Sequence, residues 1–164
     1  MSTNNLTLRL LDPTTDLDLY RQAFAWRKPK AHISGPQMAF EAFSADKPTR
    51  LTIGLFNGEL QAVYFLREFE PKCYESHFTS RKGVSREVLV WGAKRIIELL
   101  LENGAAEICA LILAGNRPLR RFVVDIGMCQ ESQILFTCVK TLQESNIFSP
   151  RNQREMFIKY AARA

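Results

Sequence analysis

Three groups of residues in this chain have the types and spacing to do chemistry. Glu75 and His77 stand two apart in a stretch that reads as a strand. Their side chains therefore share one face, about 7 Å apart by strand rise, where either could take up a proton directly or through water. The second group is the basic turn SRKGVSRE, Ser80 to Glu87. If Ser85 caps the helix that follows, the backbone amides from about Gly83 to Val88 have no helical acceptor and face outward at the positive end of the helix dipole. A phosphate fits such a place: Gly83 lets the backbone approach it, and Arg81, Lys82 and Arg86 surround it with charge. An ordinary strand-to-helix loop with solvated charges is the alternative, since the spacing matches neither a P-loop nor a GxGxxG dinucleotide fingerprint. The third group is Asn116, at the head of NRPLRRFVVDIGM.

These residues need elements to position them. Cys73 to Thr79 reads as a strand and Ser85 to Asn103 as a helix with Val88, Trp91, Ala93, Ile96, Ile97, Leu99 and Leu100 on its apolar side. Gly104 closes that helix. EICALILA, Glu107 to Ala114, is a near-continuous apolar run, as expected of a strand covered on both faces. In the next segment Pro118 suits a first helical position, Leu119, Phe122, Val123 and Ile126 recur at helical spacing, and Gly127 suits the stop. Strand, turn, helix, strand, helix is a crossover unit that sets two parallel strands side by side, with the basic turn open between them.

At these residues the chain resembles the GNAT N-acetyltransferase superfamily. There a (Q/R)xxGx(G/A) turn binds the pyrophosphate of acetyl-CoA, and a later Asn opens a helix that ends in Gly-Phe. Gly83 stands at the central glycine, Ser80 and Ser85 at the flanking positions, and Asn116 precedes Gly127-Met128 with the family's spacing. The resemblance implies an α/β fold with a mixed sheet: an antiparallel N-terminal meander followed by a βαβα cofactor-binding unit. It implies acetyl-CoA as cosubstrate and a primary amine of a small molecule or protein as acceptor. Phe78, Thr79, Arg81, Lys82, Gly83, Val84, Ser85, Arg86, Asn116 and Arg120 are then the cofactor-binding residues, with Arg121 beside them. Glu75 and His77 are the candidate bases. Many members carry a Tyr seven residues after the Asn as the acid for the leaving thiolate; here that residue is Val123, leaving Tyr74, Tyr160 or water. The departures at Ser80, Ser85 and Val123 also admit a protein of this shape without chemistry, a binding or assembly factor resembling those of phage genomes.

The rest of the chain completes the expected domain. LTLRLL at Leu6 to Leu11 alternates as a first strand, and Asp16 to Trp26 reads as a helix. Arg27 to Lys30 breaks it, a second short helix is expected over Pro36 to Phe43, and a loop over Ser44 to Pro48. Arg50 to Phe56 and Leu60 to Glu70 form a hairpin about Asn57-Gly58, two residues that tolerate positive φ. Ser132 to Val139 and Met156 to Tyr160 read as a closing strand pair, with Leu142 to Arg154 as a loop between them.

With 164 residues and 46% hydrophobic content the chain suits one domain, residues 1 to 164, with a core of its own. The absence of a membrane-length apolar run and of signal-peptide features in MSTNNLTLR points to a cytoplasmic protein that does not enter the membrane. Four cysteines in no CxxC pair and two distant histidines favour reduced thiols over disulfides or a metal site. The formal charge of +5 would suit nucleic acid, a membrane surface or a phosphorylated cofactor, and the lack of a zinc-finger spacing, an aromatic RNA-binding motif or a basic tract favours the last. Trp91, near the polar edge of its helix, is either a homodimer contact or a cover for its own core.

Overall fold

A computed structural model describes residues 5–26, 50–139 and 152–163. The expected helix at Pro36 to Phe43, the break and the loop that flank it, and most of the loop at Leu142 to Arg154 lie outside those residues. In chain order the elements are β1 (Thr7–Leu10), α1 (Leu17–Ala25), β2 (Arg50–Asn57), β3 (Glu59–Glu70), β4 (Cys73–Ser80), α2 (Arg86–Glu102), β5 (Glu107–Leu113), α3 (Arg117–Asp125), β6 (Cys129–Val139) and β7 (Asn152–Arg163). The strands form one mixed sheet in the order β1-β2-β3-β4-β5-β7-β6. Each neighbouring pair is antiparallel except β4 and β5, which α2 joins as a parallel crossover. The expected α/β class and the meander followed by a βαβα unit are both present.

Alternation along the strands sorts the sheet into two faces. Ala62, Tyr64 and Leu66 on β3, Ile108, Ala110 and Ile112 on β5, and Ile158, Tyr160 and Ala162 on β7 pack with Val88, Ala93, Ile96 and Ile97 of α2 and Phe122, Val123 and Ile126 of α3. Val63 and Phe65 of β3 face the other way, onto Tyr20, Ala23 and Phe24 of α1. Gly92 is the residue that lets α2 lie close. A Cβ there would stand 2.8 Å from Leu55 Cδ2 and 3.0 Å from the Tyr64 hydroxyl, which donates to the Leu89 carbonyl at 2.9 Å.

Several boundaries differ from expectation for local reasons. Asn57 pairs with Glu59 across the β2–β3 turn, so Gly58 alone takes positive φ, at 72°, and a bulge at Leu55/Phe56 absorbs the odd residue. Pro118 occupies the second helical position of α3, because Asn116 is the N-cap and Arg117 comes first. The closing strands run longer than their apolar residues suggested: β6 begins at Cys129, and β7 extends from Asn152 to Arg163. Polar residues on an edge hairpin hide a strand from hydrophobic pattern, and ladder hydrogen bonds carry it through. Cys73, Cys109 and Cys129 are free thiols, of which only Cys109 is buried.

Candidate active site

The site begins where β4 and β5 part. Their pairing covers Cys73↔Glu107, Tyr74↔Ile108 and Glu75↔Cys109, and stops there. Beyond it β4 continues through Ser80, held on its outer side by β3, while β5 continues through Leu113, held on its outer side by β7. Both strands are thus secured by other neighbours while the edges facing each other are unpaired. Two unpaired strand edges offer rows of amides and carbonyls that an extended amide-bearing molecule can bond. On the helix side Phe78, from the unpaired part of β4, stacks on Tyr64 (centroids 5.8 Å apart) and on Phe122 of α3 (5.0 Å), giving the gap an apolar wall. Thr79, its neighbour, is buried and polar.

At the open end lies the basic turn. Arg81 N–H donates to the Gln61 carbonyl at 2.9 Å, which ties the turn to β3. Gly83 takes φ of 89° with no atom within 4 Å of the Cβ it lacks, so the backbone here faces open space. The amides of Lys82, Gly83 and Val84 have no acceptor among the described residues. Ser85 is the N-cap of α2, as its position suggested, and its Oγ accepts from Val88 N–H at 3.4 Å. Part of the helix terminus is filled by the chain itself: the Glu87 carboxyl is held below its ordinary value by its own backbone amide and by the Ser85 hydroxyl. The three cations are not equivalent. Arg81 pairs with Glu59 and Arg86 with Asp125 of α3, whereas Lys82 has no ion pair among the described residues. An anion at this turn would meet open amides at Lys82 to Val84 and one unpaired ammonium, with two guanidiniums braced at its sides.

Asn116 stands where β5 gives way to α3. Its side-chain oxygen accepts from Leu119 N–H at 3.3 Å, which leaves its amide Nδ2–H groups for another partner. Arg120 is turned beneath α3: its Nε donates to the Tyr160 hydroxyl at 3.0 Å and its Nη1 to the Ala114 carbonyl at 3.3 Å. The position four residues after Asn116 thus joins α3 to β7 and to the residue that follows β5, through two bonds to neutral groups. Arg121 is exposed. Val123 lies in the core at 3% exposure.

Glu75 and His77 share a face as expected, the one turned away from α2 and α3. His77 Nε2 lies 3.2 Å from Glu75 Oε1, and Arg67 Nη2 lies 3.1 Å from Glu75 Oε2. These partners, His77 first and Arg67 after it, keep the Glu75 carboxyl below its ordinary range despite partial burial. Glu75 is the last β4 residue paired to β5, and His77 is the next side chain on that face, at the lip of the gap. Arg67 was missed from sequence. Counting back from the Pro71-Lys72 turn would put Glu68 opposite Glu75; an irregularity between Glu68 and Glu70 shifts the register by one and brings Arg67 there instead. Also missed was a closed ring of charge on the same face, in which Lys159 bridges Glu107 (2.5 Å) and Glu131 (3.3 Å), and Arg163 bridges Glu107 (2.7 Å) and Glu131 (2.5 Å). Its members come from three strands whose register no local pattern shows. Among the described residues no group of His, Cys, Asp and Glu is placed to hold a metal ion, and no helix is long and apolar enough to cross a membrane.

The architecture is that of the GNAT N-acetyltransferases. An acetyltransferase of Bacillus subtilis in complex with CoA superposes with a TM-score of 0.67 at 14% identity, over 97% of this chain and 99% of that one. A variant of the spermidine N-acetyltransferase of Vibrio cholerae gives 0.69 at 12% identity, over 96% and 94%. The ribosomal-protein-S18-alanine N-acetyltransferase of Escherichia coli gives 0.64 at 16%, over 96% and 93%. At such identities the likeness is one of fold. No protein-family model and no curated protein sequence matches the chain.

Proposed function

We propose that this protein is an N-acetyltransferase that moves an acetyl group from acetyl-CoA to a primary amine of a small molecule or protein. The observation that carries the reading is the unpaired gap between β4 and β5, ending at a turn with free amides. The pantetheine arm is an extended chain with two amides, so the free edge of β4 from Ser76 to Thr79 can bond it as a strand would. Nδ2 of Asn116, free of the cap bond that its oxygen makes, would donate from the other side, and Phe78 would supply an apolar wall. The diphosphate goes to the amides of Lys82, Gly83 and Val84, where Lys82 supplies charge and Arg81 and Arg86 keep the turn in shape.

CoA supplies the reactive thioester, and the protein supplies orientation and proton handling. His77 is the base in this reading. Glu75 Oε2 is taken by Arg67 and Oε1 lies 3.2 Å from His77 Nε2, so Glu75 would orient the imidazole and leave Nδ1 as the nitrogen that takes the proton on an exposed face. The reading without chemistry, a CoA-binding or assembly protein, draws on the same cradle together with the apolar Val123, and it predicts binding without transfer.

The test is thermal unfolding with CoA. Ligand at 100 times its Kd adds about 2.7 kcal/mol, which at roughly 2–4 °C per kcal/mol raises Tm by roughly 5–11 °C. Gly83→Val should abolish the rise, because a β-branched residue is strained at φ of 89° and its side chain enters the open space over the turn. An unchanged wild-type Tm would remove the cofactor and with it the transferase. A Tm rise without acetylation of any amine or peptide in a broad panel would favour the binding protein.

A further inference from the structure

Leu111 stands to β5 as His77 stands to β4. The last pair of these strands is Glu75↔Cys109, and on the face turned away from α2 and α3 each is the next side chain beyond it, so the two flank the start of the gap. Leu113 follows Leu111 on that face. Both leucines are half-buried, and neither packs against either apolar cluster of the described residues, whereas Ile108, Ala110 and Ile112 of the same strand do so on the helix face. An apolar strip beside the base, unused by the core, can cover the carbon body of a bound molecule. The charges of this face lie behind the strip, and they are already matched. Glu75 meets Arg67 with one oxygen and His77 with the other. Glu107 and Glu131 each hold Lys159 with one oxygen and Arg163 with the other, and their side chains are only 12% and 20% exposed. A second ammonium arriving here finds every oxygen of these three carboxylates claimed and must break a pair, leaving a cation behind.

Given the acetyl-transfer reading above, on which this rests, we propose that the acceptor is a monoamine with an uncharged, apolar body. Its amine lies at His77 and its carbon chain along Leu111 and Leu113, while the ring of Lys159, Arg163, Glu107 and Glu131 turns polyamines away. Each methylene that the leucines cover tightens binding by about fourfold. A second ammonium at the end of the same chain forfeits that gain, because it gives up its water without receiving a carboxylate. The ring thus selects by having no charge to offer, and the leucines select by area.

The experiment compares hexylamine with hexamethylenediamine, which differ only by the far ammonium. In wild type, kcat/KM per amine group should favour hexylamine by roughly tenfold or more, chiefly through KM. Lys159→Met frees one oxygen on each of Glu107 and Glu131 and should cut that preference by roughly fivefold. Leu111→Asp, which puts a carboxylate on the strip itself, should reverse it. The rise in Tm with CoA reports in each variant that the fold and the cofactor cradle are kept. A wild type that uses the diamine at least as well as hexylamine, or that acetylates other amines but neither of these, overturns the acceptor class and leaves the transferase standing. So does a preference that both substitutions leave unchanged. A wild type that binds CoA and acetylates no amine or peptide overturns the acceptor class together with the transferase reading.

Discussion

Gly92 is the residue on which the seating of α2, and therefore the position of the turn at its head, depends most sharply. Replacing it with Ala sets two effects against each other. Ala is the better helix former by about 0.8–1.0 kcal/mol. Against this, the new methyl would sit 2.8 Å from Leu55 Cδ2 and 3.0 Å from the Tyr64 hydroxyl. Neither neighbour has room to yield, because Leu55 is 0% and Tyr64 3% exposed, and Tyr64 is further fixed by its bond to the Leu89 carbonyl. Overpacking of that kind costs about 1–3 kcal/mol. The balance is a net loss of about 1 kcal/mol, or roughly 2–4 °C in Tm for a chain of this length. Denaturant titration and calorimetry of Gly92→Ala would measure it. In a Tyr64→Phe background the penalty should shrink, since one of the two close contacts is gone, with a coupling of about 0.5 kcal/mol or more. If Gly92→Ala instead stabilises the protein by close to 1 kcal/mol, the helix has the space that this packing denies it, and the account of how α2 is held is wrong.

Two further outcomes follow from named contacts. Asn116→Ala removes the N-cap of α3 and should cost about 1 kcal/mol and most of the CoA response. Asn116→Asp keeps an oxygen for Leu119 N–H but loses the Nδ2 donors, so by thermal shift it should unfold close to wild type yet respond poorly to CoA. The pH dependence of stability should fall away on both sides. Glu75 and Glu107 have carboxyls held below 4.5, so their contribution is present above that pH and is lost as pH drops through the folded values. Lys159 is raised above 10.5, chiefly by Glu107, so its contribution is present below that pH and is lost as pH climbs past it. Glu75→Gln and Glu107→Gln should each flatten the acid limb of a Tm-against-pH curve, and an unchanged limb would show that these pairs add nothing.

What could be read from the chain depended on the range of the interaction. The basic turn, the cap at Ser85 and the glycine stops are set by neighbours a few residues away, and they stand where the pattern put them. The shared face of Glu75 and His77 follows from period-two geometry alone. Arg120 shows where such reading ends. Its charge and its place near Asn116 suggested a phosphate ligand, but its direction is decided by Tyr160, forty residues later on a strand whose register the sequence does not display. The ring about Glu107 and Lys159 was hidden for the same reason, because it exists only once β5, β7 and β6 are laid side by side. Local chemistry was legible, and chemistry assembled across strands was not.

The gap also bears on how groups on opposite faces of a sheet could meet one ligand. A continuous sheet about one strand thick separates its faces, so His77 on one and Phe78 on the other would have no common partner. Between β4 and β5 the ladder ends at Glu75↔Cys109, and from there the sheet is open. A thioester lying in that opening would present its carbonyl to the His77 side, where an incoming amine would lose its proton, and its pantetheine arm to the apolar wall of Phe78 on the other. The two contacts then need no movement of a side chain across the sheet. Closing the gap with a β4–β5 ladder would separate them, whatever the residues on either face.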